Sequence, residues 1–507
     1  MSRILQASQN FWSERAAASV GVLVDGDDYY RAFYDAGALA RRYILLSGWQ
    51  FDSDACLLRG EEAKGRELPV TLKAYLNALC EKTPELRIYM LAWDFHAIFA
   101  LEREWMQELV FNWGTSERLT FRFDASHVEN GSHHQKFVVI DGQIAFLGGL
   151  DLCDHRWDTR NHRDPDPLRT SRGAPHKPFH DIQVCLSSPE VATDLTELFR
   201  ARWLASGGKP LALPPPSEEF PAFEPKNAVR IATDRVALSR TDPHGAPTGV
   251  PDTREIRKLY LDAIRAARRL IYIETQYFSS KDVSAALVER LRTNDGSVLD
   301  VVLVLNMAAA TLKEEVAVGL AQARVIGDLR RAAQGQPHRL GIYYTLPLSE
   351  GGVPPMHATY IHSKTMIVDD RFITIGSANL TNRSMGVDTE LNMSAETESD
   401  GDALGTSIAD LRWSLLQEHL GMSLQGYGPD LVSWLDENAK SERGRLRLHP
   451  SPTENEKAVL EVIDPQMLPF DPAAIENTEE DRSIFVGGIG PLWARLTKGT
   501  PDPSRTS

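Results

Sequence analysis

Between residues 20 and 47 the apolar positions change from a helical to a strand-like rhythm. Tyr29, Tyr30, Phe33 and Leu39 recur at helical intervals, and Tyr43-Ile44-Leu45-Leu46 is a continuous apolar run of strand length. The passage returns further on: Ile256, Leu259 and Ile264 keep a helical interval before the strand-like run Leu270-Ile271-Tyr272-Ile273. Asp27 and Asp252 stand where they would cap the two helices. The junctions echo one another, Ala40-Arg41-Arg42 against Ala267-Arg268-Arg269.

The echo continues. Leu86 to Leu91 and Leu299 to Leu305 are short apolar runs after polar turns, as expected of strands buried on both faces. Each stretch then reaches a hairpin pattern. One is His134-Gln135-Lys136-Phe137-Val138-Val139-Ile140-Asp141, turned by Gly142 into Ile144-Ala145-Phe146-Leu147; the other is His362-Ser363-Lys364-Thr365-Met366-Ile367-Val368-Asp369, turned by Asp370 into Phe372-Ile373-Thr374-Ile375. Asp-Gly is a strong two-residue hairpin signal and Asp-Asp a weaker one. Register decides against coincidence, because 94 residues separate Ala40 from His134 and 95 separate Ala267 from His362. The chain therefore predicts an α/β fold of two homologous halves packed as a pseudo-dimer, each a mostly parallel or mixed sheet flanked by helices. Residues 1–212 form the first half and 230–421 the second. A Pro-rich linker, 213–229, joins them, and in the extension 422–507 periodicity weakens; the expectation is irregular structure packed on the second half, with the last residues loose.

Composition changes this picture only at the margins. The chain has 507 residues, 42% hydrophobic and 25% charged, the mix of a globular protein. Its formal charge of -15 opposes attraction to nucleic-acid phosphates and to anionic membranes. Cys56, Cys80, Cys153 and Cys185 lack metal-type spacing and read as buried thiols in a reducing compartment. The start Met1-Ser2-Arg3-Ile4-Leu5-Gln6, soon followed by Glu14 and Arg15, does not read as a Sec signal peptide. The expected location is cytoplasmic or peripheral to a membrane, with export by a signal-independent route as the alternative.

Histidine and lysine two apart on a strand share a face, so His134 acts with Lys136 and His362 with Lys364. Gly148-Gly149-Leu150-Asp151 and Gly376-Ser377-Ala378-Asn379 follow at matching places, with small residues that allow close approach and Asp151 and Asn379 as added polar groups. Both hairpins fit the pattern HxKxxxxD, and here the chain resembles the phospholipase D superfamily. Gly148 to Asp154, His180-Asp181 and Ile273-Glu274-Thr275-Gln276-Tyr277-Phe278 resemble its eukaryotic-type branch, and the likeness covers roughly residues 20 to 420.

The residue types suit the chemistry. Attack on an anionic phosphodiester builds charge that two lysines can hold without a metal, so no cofactor is expected. One imidazole can attack phosphorus while the other protonates the departing alcohol and then activates water or another alcohol. The resemblance implies His134 as nucleophile, His362 as general acid and then base, and an orienting carboxylate from the opposite half for each: Glu390 for His134 and Asp181 for His362. Asp141 and Asp369 fall at hairpin turns, where the reading is structural. Gly149, Ser377, Asp151 and Asn379 are supporting residues, as are Asn382, Arg383 and Ser384.

Bland readings stand beside these. A single His-x-Lys is usually a solvated surface pair, and only duplication overturns that. The segment from Asp154 to Phe179 carries His155, Arg156, Trp157, His162, Arg163, His176 and Lys177. It reads as a polar loop at the mouth of the site, with a metal cluster of His155, His162, His176 and Asp158 as the weaker alternative. Asp25, Gly26, Asp27 and Asp28 lack the rest of a calcium loop and read as turn and helix cap. The functional expectation is a monomeric lipid phosphodiesterase with two pseudo-symmetric halves. It hydrolyses phosphatidylcholine-like substrates at a membrane or micelle interface, or transfers the phosphatidyl group to an alcohol, with no nucleic acid expected. Alternatives are a cardiolipin-synthase-like phosphatidyltransferase, a lipase effector toxin, a nuclease and a catalytically silent binding module.

Overall fold

The computed structural model describes residues 3–94, 107–128, 131–215, 220–243, 252–307, 319–348, 355–399, 401–423 and 430–451. The first half is built on an eight-stranded sheet, in the order Val229–Arg230, Ser19–Val24, Ile182–Ser187, Ile144–Gly148, Phe137–Ile140, Tyr43–Gly48, Arg87–Trp93, Leu119–Asp124. A ten-stranded sheet repeats that order in the second half: Ser13–Ala16, Arg235–Asp242, Glu390–Glu396, Phe372–Gly376, Lys364–Val368, Leu270–Thr275, Asp300–Val304, Arg339–Thr345, Leu446–Leu448, with Thr253–Arg254 beside Arg235–Asp242. Both sheets are mixed. Only Tyr43–Gly48, Arg87–Trp93 and Leu119–Asp124, and their three counterparts, run parallel; the other pairings are antiparallel.

The continuous apolar strands are explained by two faces to fill. Val20, Val22, Val24, Tyr43 and Leu45 enter one core, while Leu23, Ile44 and Leu46 alternate into another. The outer core of the first half lies under the helices Asp25–Gly37 and Leu72–Lys82, and that of the second under Glu255–Ala266, Lys281–Arg292 and Leu320–Ala333. The inner core is common to both halves and joins Leu147, Val184 and Phe199 to Ile367, Leu391 and Leu411. A fully buried valine or leucine contributes roughly 1.5–3 kcal/mol, so a shared core of this kind ties the two sheets into one unit.

The structure redraws several boundaries. Ser13–Ala16, expected in the first half, pairs with Arg235–Asp242 of the second sheet, and Val229–Arg230, at the junction of linker and second half, pairs with Ser19–Val24 of the first. The halves thus exchange edge strands. The extension is not irregular throughout: Leu431–Ser441 is a helix burying Leu431, Val432, Leu435 and Ala439, and Leu446–Leu448 adds a strand beside Arg339–Thr345. Its last part, 452–507, lies outside the described residues, as do linker residues 216–219. Neither expected cap forms: the first helix begins at Asp25, so Asp27 lies inside its first turn, and the second begins after Arg254 with no side-chain cap.

Candidate active site

Both motif hairpins turn through two residues with positive φ, Asp141 and Gly142 in one and Asp369 and Asp370 in the other. Hydrogen bonds from Gln143 N to Ile140 O (2.9 Å) and from Arg371 N to Val368 O (3.0 Å) close them. Glycine, aspartate and asparagine are the residues that tolerate this turn. The motif carboxylates point back into the fold. Asp141 accepts the backbone N–H groups of Arg41, Arg42 and Tyr43 at 2.7, 2.9 and 2.8 Å. Asp369 does the same for Arg268, Arg269 and Leu270 at 2.9, 2.7 and 2.8 Å. The repeated Ala-Arg-Arg junction is therefore the partner of the repeated motif aspartate.

The histidines are held by contacts across the halves. His134 N donates to Thr389 O (3.0 Å), and the next residue, Glu390, presents its carboxylate to His134 Nδ1 at 2.9 and 3.1 Å. His362 N donates to His180 O (2.7 Å), and the next residue, Asp181, presents its carboxylate to His362 Nδ1. A two-residue parallel ladder, Phe179–His180 on Tyr360–Ile361, fixes the second contact, and a bridge between His133 and Thr389 fixes the first. Each imidazole thus has its Nδ1 occupied and its Nε2 left for chemistry.

Each lysine returns to its own histidine. Lys136 Nζ donates to His134 O (3.0 Å) and lies 3.4 Å from Asp151 Oδ2, whose other oxygen accepts Trp49 N (2.8 Å). Lys364 Nζ donates to His362 O and to Gln276 Oε1 (3.2 Å), and Asn379 Nδ2 shares that amide oxygen at 3.3 Å. Ser377 Oγ donates to Glu390 (2.5 Å), and a Cβ at Gly149 would lie 2.2 Å from Asp181 Oδ1, so only glycine leaves that carboxylate its place. Arg383 pairs with Asp388 (2.7 Å), which accepts Ser132 N (2.8 Å) two residues before His134, while the Asn382 and Ser384 side chains stabilise the turn.

Burial dominates the electrostatics. It lowers His134 well below the ordinary imidazole range, with Lys136 and Lys364 adding to the effect. It lowers His362 likewise, followed by Lys364, Arg156, Lys136 and His134 itself, so the charges of both halves act on one another. Burial also raises Glu390 to about 8 and Asp181 to about 6, and brings Lys364 down to about 7. Burial thus disfavours separated charges within each histidine–carboxylate pair.

Several participants lie outside the expected set. Gln276 orients Lys364, and Arg156 is a third cation in the electrostatics of His362 and Lys364. Beneath the second motif lies a buried charged cluster. His180 Nε2 and Ser363 Oγ reach Glu274 at 2.9 and 2.6 Å, His419 Nε2 reaches it at 2.8 Å, and His180 Nδ1 faces Asp25 (3.0 Å) and Glu418 (2.7 Å). His162 joins Asp158 (2.9 Å) to Glu418 (3.0 Å). Asp25, His162, His180 and Glu418 bring ligand atoms within 4.8 Å of one another, close enough to hold a divalent cation. The metal alternative drawn from sequence is thus dispersed: His162 and Asp158 join this cluster, whereas the rings of His155 and His176 pack on each other in the loop. Asp25 is a cluster member rather than part of a helix cap.

Comparison with known proteins agrees with this construction. A family model described as phospholipase D matches residues 36–221, and one described as cardiolipin synthase, PLD-like domain, matches 260–405. The chain belongs to the phospholipase D superfamily. It is 26% identical to phospholipase D alpha 1 of Zea mays, over 79% of this chain and 65% of that protein. It is 24% identical to phospholipase D alpha 3 of Arabidopsis thaliana, over 78% and 64%. The chain thus spans about 65% of the length of such plant relatives. Among solved structures it is similar to phosphatidylserine synthase of Haemophilus influenzae, with a TM-score of 0.48 and 15% identity over 82% of this chain and 87% of that one. Among the described residues, no helix is long and apolar enough to cross a membrane.

Proposed function

We propose that this protein cleaves the headgroup phosphodiester of glycerophospholipids to phosphatidic acid, and passes the phosphatidyl group to alcohols, through a phosphohistidine. The observation that carries this reading is the pair of His–carboxylate couples, His134–Glu390 and His362–Asp181, each assembled from both halves with a lysine beside it. Nε2 of His134 attacks phosphorus and forms the P–N bond while Nε2 of His362 gives its proton to the departing headgroup oxygen. Lys136 and Lys364 hold the charge that gathers on the non-bridging oxygens. His362 then takes a proton from water or an alcohol, which attacks the phosphoenzyme and frees His134. Water and alcohol compete for one intermediate. No step needs a metal at phosphorus; a cation held by the buried cluster would act through the position of His180.

The test is to incubate the protein with phosphatidylcholine, phosphatidylethanolamine or phosphatidylserine and a primary alcohol, with divalent cations and, separately, with EDTA. Phosphatidic acid and phosphatidylalcohol are the expected products in both. Product only with cation would assign the cluster a required ion, and cleavage of DNA with no lipid product would overturn the lipid reading. His134→Ala and His362→Ala should each lower turnover by about 10³-fold or more, and a wild-type rate in either removes that residue from the mechanism.

A further inference from the structure

The His362 side of the site carries cations that the phosphoryl chemistry above leaves unused. Phe179 and Tyr360 lie against the His362 imidazole, with ring centroids 5.2 and 6.3 Å away. A cation rests on each ring: Arg156 Cζ is 5.0 Å from the Phe179 centroid, and Lys177 Nζ is 3.7 Å from that of Tyr360. Arg156 forms no hydrogen bond or ion pair with any described residue, and its side chain is only partly buried. Its charge is nevertheless felt at the centre, where it helps depress both His362 and Lys364 after burial has done so.

His362 protonates the departing alcohol, so the groups packed around it surround the headgroup and, in transfer, the incoming alcohol. A quaternary ammonium is held by open aromatic faces. The two rings tilted against His362 already carry one protein cation each, so a third positive charge brought to them meets repulsion. An anionic group meets the reverse: a guanidinium whose planar fork is suited to a carboxylate or phosphate.

We propose that the leaving-group pocket selects phospholipids whose headgroup bears an anionic group, a carboxylate as in phosphatidylserine or a further phosphate, with Arg156 as the residue that takes it and Lys177 as the second cation of the rim. This deepens, and rests on, the phospholipid reading of the site, and it replaces the phosphatidylcholine-like headgroup expected from sequence.

The experiment uses short-chain phosphatidylserine, phosphatidylcholine and phosphatidylethanolamine below their micellar concentrations, so that surface charge plays no part. The wild-type protein should show kcat/KM for phosphatidylserine about 10-fold or more above that for phosphatidylcholine, the scale of one charge-assisted hydrogen bond. Arg156→Gln should shrink that ratio about tenfold, Arg156→Lys should keep part of it, and Lys177→Gln should reduce it less. Competing L-serine and ethanolamine as acceptors shows whether the pocket also reads an anionic group arriving on the alcohol; the carboxylate-bearing acceptor should win. Equal rates or a preference for phosphatidylcholine in the wild-type protein overturn the proposal while leaving the lipid reading intact. Equal slowing of both lipids in Arg156→Gln also overturns it, because the guanidinium would then serve phosphorus rather than the headgroup. No turnover of any of the three lipids overturns the lipid reading and this proposal with it.

Discussion

Gly149 and Ser377 occupy matching places in the two halves, and each suits the carboxylate beside it. Asp181 sits where a Cβ at residue 149 would be, and accepts Ile182 N at 2.8 Å, whereas Glu390 takes the Ser377 hydroxyl. Two different local solutions thus orient two equivalent imidazoles. The lysines are less alike in what holds them: Lys136 has the Asp151 carboxylate 3.4 Å away, while Lys364 has the neutral amide oxygen of Gln276. Burial pushes Lys364 down to about 7, against the opposing pull of the Asp181 and Glu390 carboxylates. Below that value Lys364 is charged and can grip the phosphoryl oxygens; as pH rises through about 7 it loses its proton, and kcat/KM should fall with it, since kcat/KM reports the free protein. Lys364→Arg, whose guanidinium keeps its charge, should move this alkaline limb upward by more than one pH unit, even with a peak rate about tenfold lower. A limb that stays in place in Lys364→Arg belongs to another group.

At the scale of elements, the motif hairpin is a clamp as much as a platform. Asp369 satisfies three backbone donors at the start of Leu270–Thr275, the strand that pairs with Lys364–Val368 and carries Glu274 at its end. Removing the carboxylate takes the acceptor from three N–H groups, of which that of Leu270 is buried and those of the exposed Arg268 and Arg269 can turn to water, so Asp369→Ala should cost about 1–3 kcal/mol in urea unfolding. Asp369→Asn keeps one acceptor and should cost less, with kcat within a few-fold of wild type. A collapse of kcat at unchanged stability would instead make the aspartate a chemical participant. This clamp also explains what could be read from sequence. The duplication was legible because Asp141 and Asp369 tie the hairpins to the Ala-Arg-Arg junctions, holding two landmarks in step over nearly a hundred residues. The exchanged edge strands were not: Ser13–Ala16 and Val229–Arg230 are too short and too polar to show alternation, and only tertiary pairing makes them strands. The helix Leu431–Ser441 does show its pattern in Leu431, Val432, Leu435 and Ala439, but the surrounding Pro, Glu and Asp mask it when the extension is read by composition. Glu390 and Asp181 came from family resemblance, since spacing alone does not single out one carboxylate among many.

Over the whole molecule, apolar packing and buried charge divide the work of joining the halves. The shared core supplies non-directional cohesion, while the cluster around His180 sets alignment, because it draws Asp25, Asp158, His162 and His180 from the first half and Glu274, Glu418 and His419 from the second. Nothing in the sequence ties these residues together; they meet only once both sheets have formed. The arrangement bears on function, because the His180 carbonyl receives His362 N and Ser363 Oγ donates to Glu274, so the chain segment bearing His362 is fixed from below. Magnitudes distinguish this cluster from surface pairs. Arg172 and Asp54, 57% and 44% exposed, form an ion pair of a kind worth less than about 1 kcal/mol. Glu274 is fully buried and accepts from His180, His419, Ser363 and Tyr272, so breaking it strands charge away from water at a typical cost of about 3–5 kcal/mol. Glu274→Gln should therefore lower the urea midpoint far more than Arg172→Ala. It should also lower kcat, although residue 274 touches no reacting atom, because the segment bearing His362, between Tyr360–Ile361 and Lys364–Val368, loses its anchor. Equal midpoints for the two variants would show that the shared apolar core alone aligns the halves.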